Sequence, residues 1–334
     1  MNKIKIVTIS GGTGGFTILK GLRQIPEFEI TSILPSTDSG GSTGRLRDEF
    51  GYLPMGDFRQ ALVALSDNDE DENTLRDLFL YRFDNGETGL KGHNVGNLLL
   101  TALTDMYGDE LIAIEKVSKL LNVNGRILPI TLNKCELVAE YENGSTLLGE
   151  HLIDEPPYPH DGRLKIMKLS IDRKVETYDA VRNAIISADV ILIGPGDLYT
   201  SILANLVIDD ISKVICDSNA KLFYISNLVT KYGQTYKFSL QDHVREVEKY
   251  LGRSIDTILW NDSKLPEDIV EKYKLQNDFP VIDDMTNDLR VKKSDFLATE
   301  TISQVSGDVI SRSLIRHDGA KVANFLLKVL VNRQ

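Results

Sequence analysis

Short apolar runs alternate along this chain with stretches whose apolar residues recur at helical spacing, and glycine-rich turns separate them. Ile4 to Ile9 is a β-rich run that stops at glycines, which predicts a buried strand entering a turn. Thr17 to Gln24 puts Ile18, Leu19 and Leu22 on one helix face, and Glu29 to Leu34 predicts the next strand. A β-turn-α-β opening starts a parallel sheet. Asn97 to Met106 and Leu111 to Leu121 carry helical spacing. Glu136 to Glu142 and Ser145 to Ile153 flank Asn143-Gly144, a strong hairpin signal, and Arg163 to Ile171 predicts a further strand. Residues 130–171 therefore read as a small β excursion. Its segment Glu155-Pro156-Pro157-Tyr158-Pro159-His160 is an extended loop, because proline biases its predecessor away from helix.

Alternation returns after the excursion. Val175, Tyr178, Val181 and Ile185 fit one helix face. Ala188 to Ile193 is apolar but for Asp189, as a strand covered on both faces requires. Lys213 to Cys216, Leu222 to Ser226 and Thr257 to Trp260 predict three more strands, and Val322, Phe325, Leu326, Val329 and Leu330 mark a last helix. No repeat, low-complexity tract or linker interrupts the pattern. It predicts one α/β domain over 1–334, with a doubly wound, mostly parallel sheet and a β-rich subdomain at 130–171.

Composition narrows the functional classes. The 334 residues are 42% hydrophobic and 26% charged, enough for a sizeable core. A formal charge of −11, from 38 basic and 49 acidic residues, argues against nucleic acid or an anionic membrane as partner. It leaves room for a small phosphorylated ligand in a locally positive cleft. The two cysteines, Cys135 and Cys216, form neither a disulfide framework nor a metal motif and read as reduced thiols. The N-terminal run stops at Gly11 and reads as a strand rather than a signal peptide, and no stretch approaches the ~18 apolar residues of a membrane span. These features point to a cytoplasmic protein.

Six motifs carry candidate chemistry. Gly11-Gly12-Thr13-Gly14-Gly15 lies between the first strand and a helix, where glycines let backbone N–H groups close on an anion at the helix N-terminus. Thr17 stands where a dinucleotide fingerprint needs its third glycine. Past the second strand, Asp38 occupies the place of a ribose-binding acid, and Gly40-Gly41-Ser42-Thr43-Gly44-Arg45 forms a second anion nest. Asp38 reads equally as a Mg²⁺ ligand or a helix cap. Asp57 and Arg59, after Pro54-Met55-Gly56, are either ligand contacts or a cap and its ion pair. His93 and Asn97, in Gly92-His93-Asn94-Val95-Gly96-Asn97, suit phosphate or hydroxyl binding at a helix start, and His93 reads equally as a satisfied polar residue. Gly194-Pro195-Gly196-Asp197 follows the Ala188–Ile193 strand and opens a helix at Tyr199 with Thr200 and Ser201, which makes it the second half of the cleft. Asn227 and Thr230 follow another strand, while Asp242 and His243 either cap a helix or line the site. Several of these loops follow strands, so an open parallel sheet gathers them on one edge. There is no zinc spacing, hydrolase serine elbow or Walker lysine.

In this order the motifs, with Leu46-Arg47, Leu98, Leu198-Tyr199-Thr200-Ser201-Ile202-Leu203 and Asp242-His243-Val244, resemble the bacterial gluconeogenesis-factor family over nearly the whole chain. That family belongs to the superfamily of the 2-phospho-L-lactate transferases. The resemblance implies a Rossmann-like fold and a cytoplasmic protein that binds nucleotide-sugars such as UDP-N-acetylglucosamine and influences cell-envelope synthesis and cell shape under gluconeogenic growth. It leaves room for a homo-oligomer and for an envelope-synthesis enzyme as partner. The transferase branch implies instead a phospho-lactyl transfer from a guanine-nucleotide donor, with Mg²⁺ on Asp38 and Asp57. The chain departs from the family pattern in three places. Ser39 stands where a second acid is usual, Ala204 stands where proline is usual, and Lys231-Tyr232-Gly233-Gln234-Thr235 replaces Gln-Pro-Gly-Glu-Thr. Losing carboxylates at 39 and 234 weakens metal-dependent catalysis and leaves the phosphate loops intact. An NAD-dependent oxidoreductase is the third reading, disfavoured by the broken fingerprint.

Overall fold

The computed structural model describes residues 3–67, 73–83, 89–299 and 314–331. Among the described residues ten strands form two sheets: β1 (Ile4–Ile9), β2 (Phe28–Leu34), β3 (Arg126–Pro129), β4 (Leu137–Tyr141), β5 (Thr146–Leu148), β6 (Ile166–Ile171), β7 (Val190–Ile193), β8 (Lys221–Ile225), β9 (Thr257–Asn261) and β10 (Val291–Ser294). Seven of them make a parallel sheet in the order β10-β9-β8-β7-β1-β2-β3. The chain builds this sheet outward from β1 in one direction, then returns to β7 and builds in the other. The carboxyl ends of β1 and β7 therefore flank the point where the winding reverses, which opens a crevice in parallel sheets.

Strand residues alternate between two apolar clusters. Val7, Ile9, Ile191 and Ile193 belong to one, and Ile6, Val190 and Leu192 to the other. Both faces of β7 are thus buried, which is why its sequence shows no polar alternation. The helix Gly12–Arg23 supplies Ile18, Leu19 and Leu22 to the second cluster, and the helix Gly319–Val331 covers it there with Val322 and Leu326.

The excursion forms an antiparallel sheet, β5-β4-β6, whose Leu137, Ala139, Tyr141, Ile166 and Leu169 join the first cluster of the parallel sheet. The hairpin turns at Asn143-Gly144 as expected, with Gly144 at φ 80°. Its second strand is shorter than the expected Ser145–Ile153. Gly149, at φ 100°, ends it, and Glu150–Asp154 is a one-turn helix.

Other expectations need correction. Lys213 to Cys216 is not a strand but part of the helix Ile211–Asp217, which buries Ile211 and Ile215 one turn apart. The first helix begins at Gly12, five residues before the expected Thr17, because its glycines take part in it. The helix expected around Val175 begins at Asp179. The helices Gly41–Phe50, Met55–Leu65, Asn73–Leu80 and Glu267–Leu275, with β3 and β10, are additions to the predicted set. Cys135 and Cys216 are free thiols. Among the described residues no helix is long and apolar enough to cross a membrane.

Candidate functional site

The turns after β1 and β7 touch. Gly11 is extended and Gly12 takes φ 64°, starting the helix with no side chain capping it. A Cβ on Gly196 would lie 3.0 Å from the Gly11 carbonyl oxygen, and one on Gly14 would lie 3.3 Å from Pro195 Cγ. A Cβ on Gly12 would meet Ser201 Oγ at an ordinary 3.4 Å, so it is the positive φ that favours glycine there, while the close approach favours it at Gly196. Asp197 holds the cap position of a π-helical turn, Leu198–Leu203, without making a capping bond. Thr200 is buried within that turn and Ser201 half-buried. Gly12 to Gly14, Asp38 to Gly40 and Gly196-Asp197 are all half-exposed, so these turns remain reachable from solvent.

The turn after β2 adds Asp38, whose Oδ1 accepts from Gly40 N at 2.9 Å. Asp57 starts the helix Met55–Leu65 beside it, and its Oδ2 accepts from Gly12 N at 3.3 Å. A Cβ on Gly15 would lie 2.4 Å from Ser10 Oγ, so this glycine is needed for packing under the loop. Burial, then the charge of Asp38, pushes the Asp57 carboxyl up to about 7, against the Gly12 N–H and Arg59. Thr43, Arg59 and Asn97 are buried behind this loop. Arg59 Nε donates to Asn97 Oδ1 at 3.0 Å, and Asn97 Nδ2 donates to Thr43 Oγ1 at 3.5 Å. The three are joined to one another by these bonds. Gly41 and Ser42 open the helix Gly41–Phe50; the side chain of Ser42 lies outside the described residues. Arg45 is exposed on the flank and donates to the Lys91 carbonyl at 3.1 Å. His93 is buried near it, and burial, then Arg45, lowers its pKa.

Asn227 and Thr230 are both hydrogen-bonded to the protein. Asn227 Nδ2 donates to the Gly196 carbonyl at 2.8 Å while its Oδ1 accepts from Tyr224 OH at 3.1 Å, so the amide holds the glycine turn from behind. Thr230 is buried and zips onto Phe279 through two bonds of 2.8 and 2.9 Å. Asp242 forms a capping box with Ser239, and His243 is fully buried with Nδ1 2.8 Å from the Ser239 carbonyl, so this pair caps a helix. Asn227 also lines, with Ser226, Trp260, Asp262 and Val281, a cavity of about 260 Å³ at the carboxyl ends of β8 and β9.

The motifs did not reveal Glu150, Asp154 and Lys231. Glu150 Oε2 accepts from Ser39 N at 3.4 Å, and His151 N donates to Ser39 Oγ at 3.0 Å. Burial, then Asp38 and Asp154, raises the Glu150 carboxyl well above the usual range. Asp154 Oδ1 accepts from Lys231 Nζ at 2.5 Å, from Thr200 Oγ1 at 3.0 Å and from Gln234 Nε2 at 3.0 Å. Burial alone would raise Asp154, but the Lys231 ammonium holds it below the usual range. One signal was present in the sequence. Ser39 and Gln234, the two places where a family carboxylate is missing, both contact the helix Glu150–Asp154.

For Mg²⁺ the fit is partial. Among the described residues no three His, Cys, Asp or Glu side chains are grouped to hold a metal. Asp38 and Asp57 would supply two carboxylates, and ligand phosphate oxygens and water would have to complete the octahedron.

The family model of the 2-phospho-L-lactate transferase CofD matches residues 6–302. The gluconeogenesis factor of Bacillus subtilis is 39% identical over 332 residues, covering 98% of each chain. That of Listeria monocytogenes is 37% identical over 336 residues, covering 99% of this chain and 97% of the relative. A crystal structure of a UPF0052 family member from Bacillus halodurans superposes with a TM-score of 0.87 at 34% identity, covering 98% of this chain and 99% of that one. With the motif order, the parallel sheet and these relatives in agreement, the chain belongs to the gluconeogenesis-factor family within the 2-phospho-L-lactate transferase superfamily.

Proposed function

We propose that this chain is a cytoplasmic regulatory protein that binds a nucleotide-sugar of the UDP-N-acetylglucosamine type and acts on cell-envelope synthesis during gluconeogenic growth. The observation that carries the reading is the meeting of the turns after β1, β2 and β7, each half-exposed and glycine-lined. We read the sheet as doubly wound and Rossmann-like, with the excursion as part of a single domain. The phosphates take the N–H groups at 11–15, 40–45 and 194–201, and Asp38 orients the ribose or sugar. The cavity at Asn227 then receives the far end of the ligand. The relatives' name, gluconeogenesis factor, supports the physiological part.

Calorimetric titration with UDP-N-acetylglucosamine, GDP and NAD, each with and without Mg²⁺, tests this. Selective binding of the UDP-sugar in EDTA, without consumption, is expected. Preferred, Mg²⁺-dependent binding of GDP would overturn it in favour of a phospho-lactyl transferase. The pairing of Asp57 with Asp38 favours that second reading, since a metal there would neutralise a leaving phosphate. Asp38→Asn should keep UDP-sugar affinity within about tenfold, or ~1.4 kcal/mol, for a binding protein, and should abolish turnover for a metal-dependent transferase.

A further inference from the structure

One lysine is set among the acids of the site. Lys231 Nζ, on the loop after β8, lies 2.5 Å from Asp154 Oδ1 and 2.7 Å from Asp197 Oδ2. Asp197 immediately precedes the π-helical turn, so the ammonium sits at the mouth of the Gly194–Gly196 turn. The side chains of Lys231, Asp154 and Asp197 remain 30%, 25% and 41% exposed, so the group is deep yet reachable from solvent. Asp278 also lies near, because it feels the charges of both Lys231 and Asp197. Burial would lower the lysine, but Asp197 and Asp154 outweigh it and keep it charged.

A second, independent feature points to a ligand. Gln234 is 2% exposed, and its Nε2 donates to Asp154 and, at 3.4 Å, to Thr200. Its Oε1 is buried with no donor. An orphaned buried acceptor is costly, and a hydroxyl or N–H of a bound molecule would satisfy it.

We propose that Lys231 is the cation that receives the ligand's phosphate groups, held ready by Asp154 and Asp197, while Gln234 Oε1 accepts from a hydroxyl of the same ligand. This rests on the reading of the site as phosphate-binding and concerns how an acidic chain supplies positive charge there. An ammonium has three donors, and the two carboxylates engage two of them. The carboxylates also compete with phosphate for the ammonium. Asp154 therefore restrains Lys231, and removing its charge strengthens binding.

The test is calorimetric titration with inorganic pyrophosphate in EDTA. Wild-type protein binds it, Lys231→Met weakens binding by about tenfold or more, and Asp154→Asn tightens it. The opposite signs matter, because a merely structural role for the ion pairs would weaken binding in both variants. Loss in both, no change in Lys231→Met, or no binding by the wild type overturns the proposal. Should Lys231→Met fail to fold, Asp154→Asn/Lys231→Met, whose cluster carries the same net charge as the wild type, is compared with Asp154→Asn for the loss. A wild type that binds pyrophosphate through Lys231 but refuses UDP-N-acetylglucosamine sinks the nucleotide-sugar reading and leaves the lysine's role standing.

Discussion

His243 and His317 are buried at 0% and 4% exposure, and burial pushes both pKa values down to about 4. In the unfolded chain each titrates near 6.5. Between these values the unfolded state binds more protons, so stability is present above pH 6.5 and is lost as pH falls toward 4. The loss amounts to up to about 3 kcal/mol for each histidine. Urea unfolding from pH 7.5 to 4.5 should show a falling midpoint that flattens in His243→Asn/His317→Asn; an equally steep fall in the variant would reject the assignment. At this scale the glycine turns were legible because a glycine's role is local. Gly12 needs its φ and Gly196 its close approach whatever lies elsewhere. Lys231 and Asp154 were not legible. They lie 77 positions apart, and nothing local to either signals the other.

Between elements, the tightest approach is that of the helices Gly12–Arg23 and Gly319–Val331. A Cβ on Gly21 would stand 1.9 Å from the Gly319 carbonyl oxygen, and one on Gly319 would stand 2.1 Å from that of Thr17. Backbone cannot yield as a side-chain tip can. Gly21→Ala should therefore cost at least the ~1–3 kcal/mol of ordinary overpacking, read as a lowered urea midpoint. A midpoint within error of wild type would mean that the helices part freely. Elements were legible where periodicity was long or a strand was covered on both faces, as in β1 and β7. The error at Lys213 to Cys216 came from reading Val214-Ile215-Cys216 as a strand, when Ile211 and Ile215 already marked one helix face. The five-residue helix Glu150–Asp154 is too short for any period to declare it, so its part in the site stayed hidden.

For the molecule as a whole, the excursion's attachment matters most. Its outer strand, β6, has its free edge covered by the helix Leu240–Leu251. Leu169 N donates to Tyr250 OH at 2.6 Å, and Lys249 Nζ donates to the Met167 carbonyl at 3.0 Å. A covered edge is protected from pairing with another chain. Tyr250→Phe should speed hydrogen exchange of β4 and β6 amides while β1 and β7 keep their protection, if the excursion opens as a unit. Uniform acceleration across both sheets would instead mean one cooperative unit.

The packing of Gly21 on Gly319 also bears on how the chain is made. β1 is translated early, yet its neighbour β7 begins at Val190 and the helix that crosses its own begins at Gly319. Ile6, Ile18 and Leu22 therefore wait without their final cover until the helix Gly319–Val331 is made. Long-range contacts of this kind form slowly and leave apolar surface open to misassociation. A ribosome stalled before codon 319 should carry a nascent chain that is protease-sensitive and engaged by chaperones, and release past codon 331 should end both conditions.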